Sequence, residues 1–292
     1  MEKIWTPKDG TIDILSDGER KFVEVKSKMG YPAIYPLHDV KIEKPIEAVL
    51  MDLDGTSVKS ESFWIWIIQS TVARLLDNPK FELEDADLPF VSGFSVSEHL
   101  QYCIDKYCPE KTVEEARKHY FDITDYEMNE ILEGRGRENA FTPAEGLKDF
   151  LLELKDKNIK IGLVTSGLYR KAMPEIISAF QTLGMGDPVD FYDCIITAGY
   201  PLGKGQIGTL GELAPKPHPW LYAETMRVGL GIHFERRHHV IGIEDSTAGI
   251  ISVLLSGVAP IGIAGGNIEN SDIKELCTDF VDKLDDVMGL IK

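Results

Sequence analysis

Short apolar runs alternate with segments of helical periodicity along most of the chain. Apolar runs without polar–apolar alternation are typical of strands buried on both faces of a parallel sheet. These runs are IEAVLM (46–51), IKIGLVT (159–165), DCIITA (193–198), HHVIGIE (238–244) and VAPIGIA (258–264). Helical periodicity covers 144–158, 174–184, 218–229 and 247–257. The alternation predicts an α/β fold with a Rossmann-like, doubly wound parallel sheet as its core.

Two regions interrupt this pattern. Residues 61–140 contain helical segments with no convincing strand between them, which predicts an all-helical domain inserted into a core made of 46–60 and 141–292. The hinges are expected near Ser60 and within 134–143. Residues 1–45 form a separate N-terminal extension, in which TIDIL and KFVEV flank Asp17-Gly18 and predict a β-hairpin.

Charge and composition narrow the classes of partner. The 292 residues include 48 Asp and Glu against 31 Lys and Arg, a net charge of −17, which would repel nucleic acid and anionic lipid. No apolar run reaches the ~18–20 residues of a membrane span, and the first ten residues lack the order of a secretion signal. We therefore expect a cytoplasmic protein with no nucleic acid or membrane partner. Four sparse cysteines without a C-x-x-C pair fit a reducing compartment: Cys103, Cys108, Cys194 and Cys277.

The first polar cluster follows a predicted strand directly, in Asp52-Leu53-Asp54-Gly55-Thr56. Two carboxylates behind a buried strand are costly unless a cation balances their charge, and Mg²⁺ prefers such oxygen ligands. Gly55 would let the chain turn away sharply. A D-x-D pair in an acidic protein is more often a solvated loop, but the preceding AVLM favours a functional site here.

Three further clusters also follow apolar strands or carry a constrained charge. Thr165-Ser166-Gly167 could hold phosphoryl oxygens or could simply cap the next helix. Lys216 lies in a Pro-Lys-Pro frame that fixes its backbone, although most lysines are only solubilising. Glu244-Asp245-Ser246 could complete a metal site or cap the helix that follows. Ligands of open α/β sheets bind at the carboxyl ends of the strands, where separate clusters converge.

In order and context these clusters resemble the haloacid dehalogenase-like (HAD) hydrolase superfamily. DLDGTSVKSE and IGIEDSTAGI are most similar to the subgroup that contains β-phosphoglucomutase and small-metabolite phosphatases. The resemblance covers roughly residues 46–292, with a helical cap domain at 61–140, and does not include 1–45. The chain departs from the usual pattern between Ala198 and Pro215, where the approach to Lys216 is longer and richer in glycine.

The resemblance implies roles for the acidic residues. Asp52 would attack phosphorus and become an aspartyl-phosphate, while Asp54 would act as general acid and then general base. Mg²⁺ would be held by Asp52, the backbone carbonyl of Asp54 and Asp245, with Glu244 supporting the metal from behind.

The resemblance also implies which groups contact the substrate. Thr165, Ser166, Gly167 and Lys216 would bind the transferring phosphoryl group, with Thr165 and Lys216 counted as catalytic. The segment 89–100 resembles the specificity loop of the cap. Its turn residues are Ser92, Gly93 and Phe94, although Phe94 could equally pack between cap and core.

These roles predict an enzyme: a Mg²⁺-dependent phosphatase that hydrolyses a small, sugar phosphate-like metabolite, as a monomer or homodimer. Because both Asp52 and Asp54 are present, dehalogenation and phosphonate cleavage are disfavoured. A phosphomutase of the β-phosphoglucomutase type would use the same residues. A non-catalytic binding or regulatory protein on the same fold is a further alternative, supported only by residues 1–45. A phospho-receiver domain is disfavoured by the wide spacing of the acids and by the helical insert.

Overall fold

The computed structural model describes residues 1–8, 10–26, 33–91, 96–137, 139–197 and 213–292. Its strands are β1 Glu2–Trp5, β2 Ile12–Ser16, β3 Lys21–Val25, β4 Ala33–Pro36, β5 Ala48–Asp52, β6 Val58–Lys59, β7 Thr142–Pro143, β8 Lys160–Thr165, β9 Cys194–Thr197, β10 Val240–Glu244, β11 Ala259–Ile263 and β12 Asp279–Val281. Its α-helices are α1 Glu61–Leu75, α2 Val96–Tyr107, α3 Val113–Leu132, α4 Leu147–Asp156, α5 Tyr169–Leu183, α6 Pro188–Phe191, α7 Trp220–Glu224, α8 Thr247–Leu255 and α9 Leu284–Ile291. None of the helices in these ranges is long and apolar enough to cross a bilayer.

A six-stranded sheet forms the centre of the molecule, with the order β12-β11-β10-β5-β8-β9. Every pair of neighbouring strands in it is parallel. The chain leaves the central strand β5 toward β8 and β9, and later returns to build β10, β11 and β12 on the other side. This reversal next to β5 is a topological switch point, where the loops at the strand ends diverge and leave a crevice.

Both faces of this sheet are covered, which explains the uninterrupted apolar runs. Val49 and Met51 of β5 belong to the core cluster that contains residues of α4, α5 and α9. Ala48 and Leu50 belong instead to a second cluster, which they form with α7, with Met226 and Leu230 just after α7, and with α8. The predicted doubly wound α/β fold is confirmed.

The helices α1, α2 and α3 follow the first core strand, and a 3₁₀ turn at Asp85–Phe90 lies between the first two. The two segments that lead into and out of this region run side by side, because β6 pairs with β7 through Val58↔Pro143 and Lys59↔Thr142. The described residues between 61 and 140 contain no strand. The two connections are therefore adjacent in the fold, and their role as hinges stays a prediction.

The N-terminal extension is larger than a hairpin. The predicted hairpin is present as β2 and β3, but β1 and β4 flank it in a four-stranded antiparallel sheet. Its inward-facing side chains form a shared apolar cluster with α8, so the sheet packs directly on the core. The members of this cluster are Ile12, Ile14, Val23 and Val25 from the sheet with Ile250, Ile251, Leu255, Ile268 and Ile273 from the core.

Two helix boundaries differ from the sequence prediction. The helix expected at 174–184 begins earlier, at Tyr169, and carries Pro174 in its interior. The helix expected at 218–229 is α-helical only over Trp220–Glu224 and continues as a π-helical turn over Thr225–Gly229. Apolar periodicity is insensitive to such changes, because it records which face is buried and not the hydrogen-bond spacing.

Candidate active site

Polar side chains from three neighbouring strands meet at the switch point. Asp52 ends β5 and lies in register with Val164, the residue before Thr165 at the end of β8. On the other side Met51 pairs with Ile243, the residue before Glu244 at the end of β10. Sequence positions separated by more than 100 residues are therefore adjacent at one edge of the sheet.

Lys216 joins two of these strand ends. Its ammonium group contacts a carboxylate oxygen of Asp52 and lies 2.6 Å from Oε1 of Glu244. Only 8% of the Lys216 side chain is exposed. Burial alone would lower the pKa of Lys216, but the charges of Asp52 and Glu244 outweigh burial and raise it. The lysine is therefore a fixed cation within the site.

Glu244 is fully buried and held on all sides. The hydroxyl of Tyr222 donates to its Oε1 at 2.5 Å, and the hydroxyl of Ser246 donates to its Oε2 at 3.1 Å. A Cβ on Gly249 would come within 2 Å of this carboxylate, so only glycine fits there. Ser246 Oγ also accepts from the backbone N–H of Gly249, as expected for the N-cap of α8. Within this cluster Ser246 therefore caps α8, whereas Glu244 contacts Lys216.

Three carboxylates of the site lie close enough to share a cation. Ligand oxygens of Asp52, Glu244 and Asp245 are all within 4.8 Å of one another. Burial and the charge of Glu244 raise the pKa of Asp52 well above its usual range, and the same two causes raise the pKa of Asp245 to about 7. The single ammonium of Lys216 does not balance this much negative charge.

The backbone beside Asp245 is also shaped for close approach. Gly55 adopts a φ of +85°, and a Cβ at this position would lie 2.0 Å from Oδ2 of Asp245. Only glycine can adopt this positive φ and also leave room for the Asp245 carboxylate without strain. The donor set of hard oxygens and the excess of buried negative charge therefore fit a divalent cation.

Asp54 differs from Asp52 in being exposed. Its Oδ1 accepts a hydrogen bond from the Ser60 hydroxyl at 2.5 Å. The D-x-D spacing would allow both acids to lie on one continuous strand. β5 ends at Asp52, however, so Asp54 lies beyond the strand. Their environments diverge as a result, one buried against Lys216 and the other open to the solvent side.

Glu175 lies behind Asp54 and is not among the site residues that the sequence predicts. Glu175 is on α5 and only 2% exposed. Burial, the charge of Asp54 and a hydrogen bond with Asp54 raise the pKa of Glu175 well above its usual range. One turn earlier, the ammonium of Lys171 lies 3.6 Å from the centre of the Trp64 ring. A charged residue inside the apolar run PEIISAF was the available signal, but periodicity alone assigned it no role.

Thr165 lies at the end of β8 and is buried. Its Oγ1 accepts from the backbone N–H of Gly167 at 2.9 Å, and the Ser166 hydroxyl accepts from the backbone N–H of Lys216 at 3.1 Å. The helix α5 begins only at Tyr169, and its N-cap residue makes no side-chain hydrogen bond. Thr165 therefore does not cap α5, and this turn instead links β8 to the Lys216 segment.

The remaining predicted site residues cannot be placed. Ser92, Gly93 and Phe94 lie outside the described residues, as does most of the glycine-rich approach to Lys216, at 198–212.

The sequence model of one family, the haloacid dehalogenase-like hydrolases, matches residues 49–194. This match covers 146 of the 292 residues, half of the chain, and includes Asp52, Asp54 and Thr165. The chain belongs to the haloacid dehalogenase-like hydrolases. The family predicted from the motifs is thereby confirmed. A search among curated proteins finds no match.

Solved structures share the fold of this haloacid dehalogenase-like protein. A protein described as a predicted phosphoglycolate phosphatase from Haemophilus somnus 129PT is 17% identical, with a TM-score of 0.63 over 85% of this chain and 99% of that one. CbbY from Rhodobacter sphaeroides, in complex with phosphate, is 18% identical, with a TM-score of 0.58 over 82% and 95%. β-Phosphoglucomutase from Clostridium difficile is 22% identical, with a TM-score of 0.51 over 83% and 93%.

Proposed function

We propose that this protein is a Mg²⁺-dependent phosphatase that hydrolyses a small phosphorylated metabolite. The observation that carries the proposal is the position of the Lys216 ammonium between Asp52 and Glu244, next to the strand end that bears Thr165. A fixed cation and a nucleophilic carboxylate at one edge of the sheet suit a reaction in which charge spreads over phosphoryl oxygens.

Asp52 and Asp54 have different roles in the proposed reaction. A carboxylate oxygen of Asp52 forms a bond to phosphorus while the bond from phosphorus to the ester oxygen breaks, leaving an aspartyl-phosphate. Asp54 gives its proton to the departing oxygen. Water then attacks phosphorus, Asp54 takes a proton from it, and Asp52 is released with inorganic phosphate. The exposure of Asp54 supports this division, because an acid/base must reach both the leaving group and water.

The metal would be held by Asp52, Asp245 and the backbone carbonyl of Asp54, at the cluster whose charge Lys216 leaves unbalanced. When bound, Mg²⁺ would neutralise charge between the anionic nucleophile and the phosphate. We assign Glu244 a supporting role, since its oxygens are already engaged by Tyr222, Ser246 and Lys216.

The phosphoryl oxygens would be bound by Lys216 together with the turn of Thr165, Ser166 and Gly167. The hydroxyl of Thr165 is held by the Gly167 backbone N–H, which fixes its oxygen and leaves its hydrogen available to a substrate oxygen. Lys216 would in addition offset the negative charge that two acids and a phosphate bring together.

Substrate choice would rest with the helical cap formed by residues 61–140, with Ser92, Gly93 and Phe94 in its specificity loop. A cap that closes over the switch point excludes water and selects the leaving group. CbbY from Rhodobacter sphaeroides, a relative of the same fold, has been crystallised as a mutant with xylulose-(1,5)bisphosphate. This likeness supports a small sugar phosphate as the substrate class.

A panel of phosphorylated metabolites tests the proposal. We expect release of inorganic phosphate with Mg²⁺, none with EDTA, and none from Asp52→Asn under either condition. Release that persists in EDTA would contradict the metal dependence. No release from any ester, with the protein folded by circular dichroism, would contradict the phosphatase.

The same panel separates a phosphomutase of the β-phosphoglucomutase type from a phosphatase. A mutase transfers the phosphoryl group to a sugar hydroxyl, so a sugar monophosphate would isomerise without release of phosphate. Chromatography of the sugar products beside the phosphate assay distinguishes the two reactions.

A further inference from the structure

The N-terminal sheet reaches the segment that carries Lys216. Tyr35, on the edge strand β4, places its hydroxyl 2.8 Å from Nδ1 of His218. The two rings meet edge to face with centroids 5.9 Å apart, and Tyr35 meets the Trp220 ring in the same way at 5.9 Å. Tyr35 therefore contacts the chain two and four residues after Lys216.

His218 is a fixed point of this segment and is 7% exposed. Its backbone N–H donates to the carbonyl of Pro215 at 3.1 Å, which closes a turn around Lys216. Its carbonyl accepts from the Ser252 hydroxyl at 2.6 Å, which ties the turn to α8. Burial lowers the pKa of His218, so its imidazole is neutral at pH 7 and can accept the hydrogen of the Tyr35 hydroxyl.

The sheet itself is anchored to the same helix. The shared apolar cluster fixes β2 and β3 against Ile250, Ile251 and Leu255 of α8. This helix follows Asp245 and supplies Ser252. The sheet, α8 and the turn around Lys216 thus form one connected unit, in which Tyr35 restrains the imidazole of His218 from outside the α/β core.

We propose that Tyr35, on the edge strand of the N-terminal sheet, holds the 215–219 turn through His218 and so keeps the Lys216 ammonium between Asp52 and Glu244. Tyr35 is a positioning residue, because it acts through His218. The effect on turnover rests on the proposed function, whereas the effect on the location of Lys216 does not.

The test compares Tyr35→Phe with wild-type protein and with Asp13→Asn. The phenylalanine keeps the ring contacts with His218 and Trp220 and removes only the hydroxyl. Asp13→Asn removes a buried charge from β2, two strands away from β4 in the same sheet, and serves as the control for loss of stability. We expect kcat of Tyr35→Phe to fall about 5-fold, the effect of one hydrogen bond, with little change in KM. At a temperature where it is folded, Asp13→Asn should retain the wild-type kcat.

A second readout is independent of activity. Lysine labelling with acetic anhydride, measured by mass spectrometry, reports the accessibility of Lys216 relative to the exposed Lys118. We expect Lys216 to be labelled several-fold faster in Tyr35→Phe than in wild type or Asp13→Asn. Unchanged labelling of Lys216 in Tyr35→Phe overturns the proposal, as does a wild-type kcat in that variant or an equal loss of kcat in Asp13→Asn. If the wild-type protein hydrolyses no ester, the proposed function fails and labelling alone decides the role of Tyr35.

Discussion

Asp52 owes its environment to three other charges. It ends a strand buried on both faces, contacts the Lys216 ammonium, and lies beside Glu244 and Asp245. Burial and like charge work against its ionised form, and Lys216 works in its favour. A residue with this balance carries a stability cost that a structural role would not require.

Asp52→Asn is expected to abolish turnover and to preserve the fold. The substitution removes the proposed nucleophile at constant volume, so kcat should fall by at least about 10³-fold. It also removes one of the mutually repelling carboxylates, so the Tm should stay level or rise. Phosphate release and thermal unfolding measure the two effects. Asp156→Asn, at an exposed position near the end of α4, is the matched control, and near-normal turnover by Asp52→Asn would refute the assignment.

Asp54→Asn separates acid/base catalysis from nucleophilic attack. Asparagine keeps an oxygen for the Ser60 hydroxyl but has no proton to give, so kcat for an alkyl phosphate should fall by about 10²-fold or more. A 4-nitrophenyl ester needs little protonation of its leaving group, and its loss should be clearly smaller. Equal losses with the two esters would argue against the role of Asp54 as a general acid.

At the scale of elements, the sequence predicted the covered parallel sheet, because the hydrophobic pattern and the order of strands and helices along the chain determine it. The uninterrupted apolar runs around Val49 and Ile161 predicted a sheet covered on both faces, and the position of Asp52 and Thr165 after these runs predicted their meeting at one edge. The contact between Tyr35 and His218 could not be predicted, because it joins residues 183 positions apart through tertiary packing. Glu175 could not be predicted either, because it lies on the buried face of α5, and hydrophobic periodicity gives a polar residue on such a face no role.

The N-terminal sheet contains a buried charge that makes its stability depend on pH. Asp13 accepts hydrogen bonds from Thr6, at 2.6 Å, and contacts the ammonium groups of Lys3 and Lys26, at 2.6 and 2.7 Å. Burial alone would raise the pKa of Asp13, but hydrogen bonds from Lys26 and Lys3 outweigh it and hold the pKa well below its usual range. This carboxylate therefore contributes stability above pH ~4, and the contribution is lost as pH falls from there toward the lowered pKa.

Asp13→Asn should accordingly lower the free energy of unfolding at pH 7 by about 1.5–3 kcal/mol, the effect of losing hydrogen bonds to charged groups. The difference from wild type should shrink as the pH falls below ~4. Urea unfolding at pH 7, 5 and 3 measures this. Asp17→Asn in the hairpin turn is the control, because asparagine keeps the oxygen that accepts from the backbone N–H groups of Glu19 and Arg20. A difference that is constant with pH would contradict the ionised state of Asp13.

Across the whole molecule, negative charge is in excess and is concentrated at the site. The net charge is −17, and the edge of the sheet brings Asp52, Glu244 and Asp245 together beside the ammonium of Lys216. An anionic substrate that comes close to this edge therefore meets net repulsion. On the proposed function, a divalent cation would therefore serve more than the chemical step, because it would reverse the field that the phosphate meets.

Mg²⁺ should stabilise the folded protein as well as activate it. A ligand that binds only the folded state at about 100 times its Kd contributes about 2.7 kcal/mol, which would raise the Tm by several degrees. Asp245→Asn should show a much smaller rise, and its Tm without Mg²⁺ should equal or exceed that of wild type, because one repelling carboxylate is gone. Differential scanning fluorimetry over a MgCl₂ titration measures this, with NaCl of equal ionic strength to account for screening and Asp156→Asn as a surface control. A rise in Tm that NaCl reproduces, or that Asp245→Asn retains in full, would contradict a cation site at the switch point.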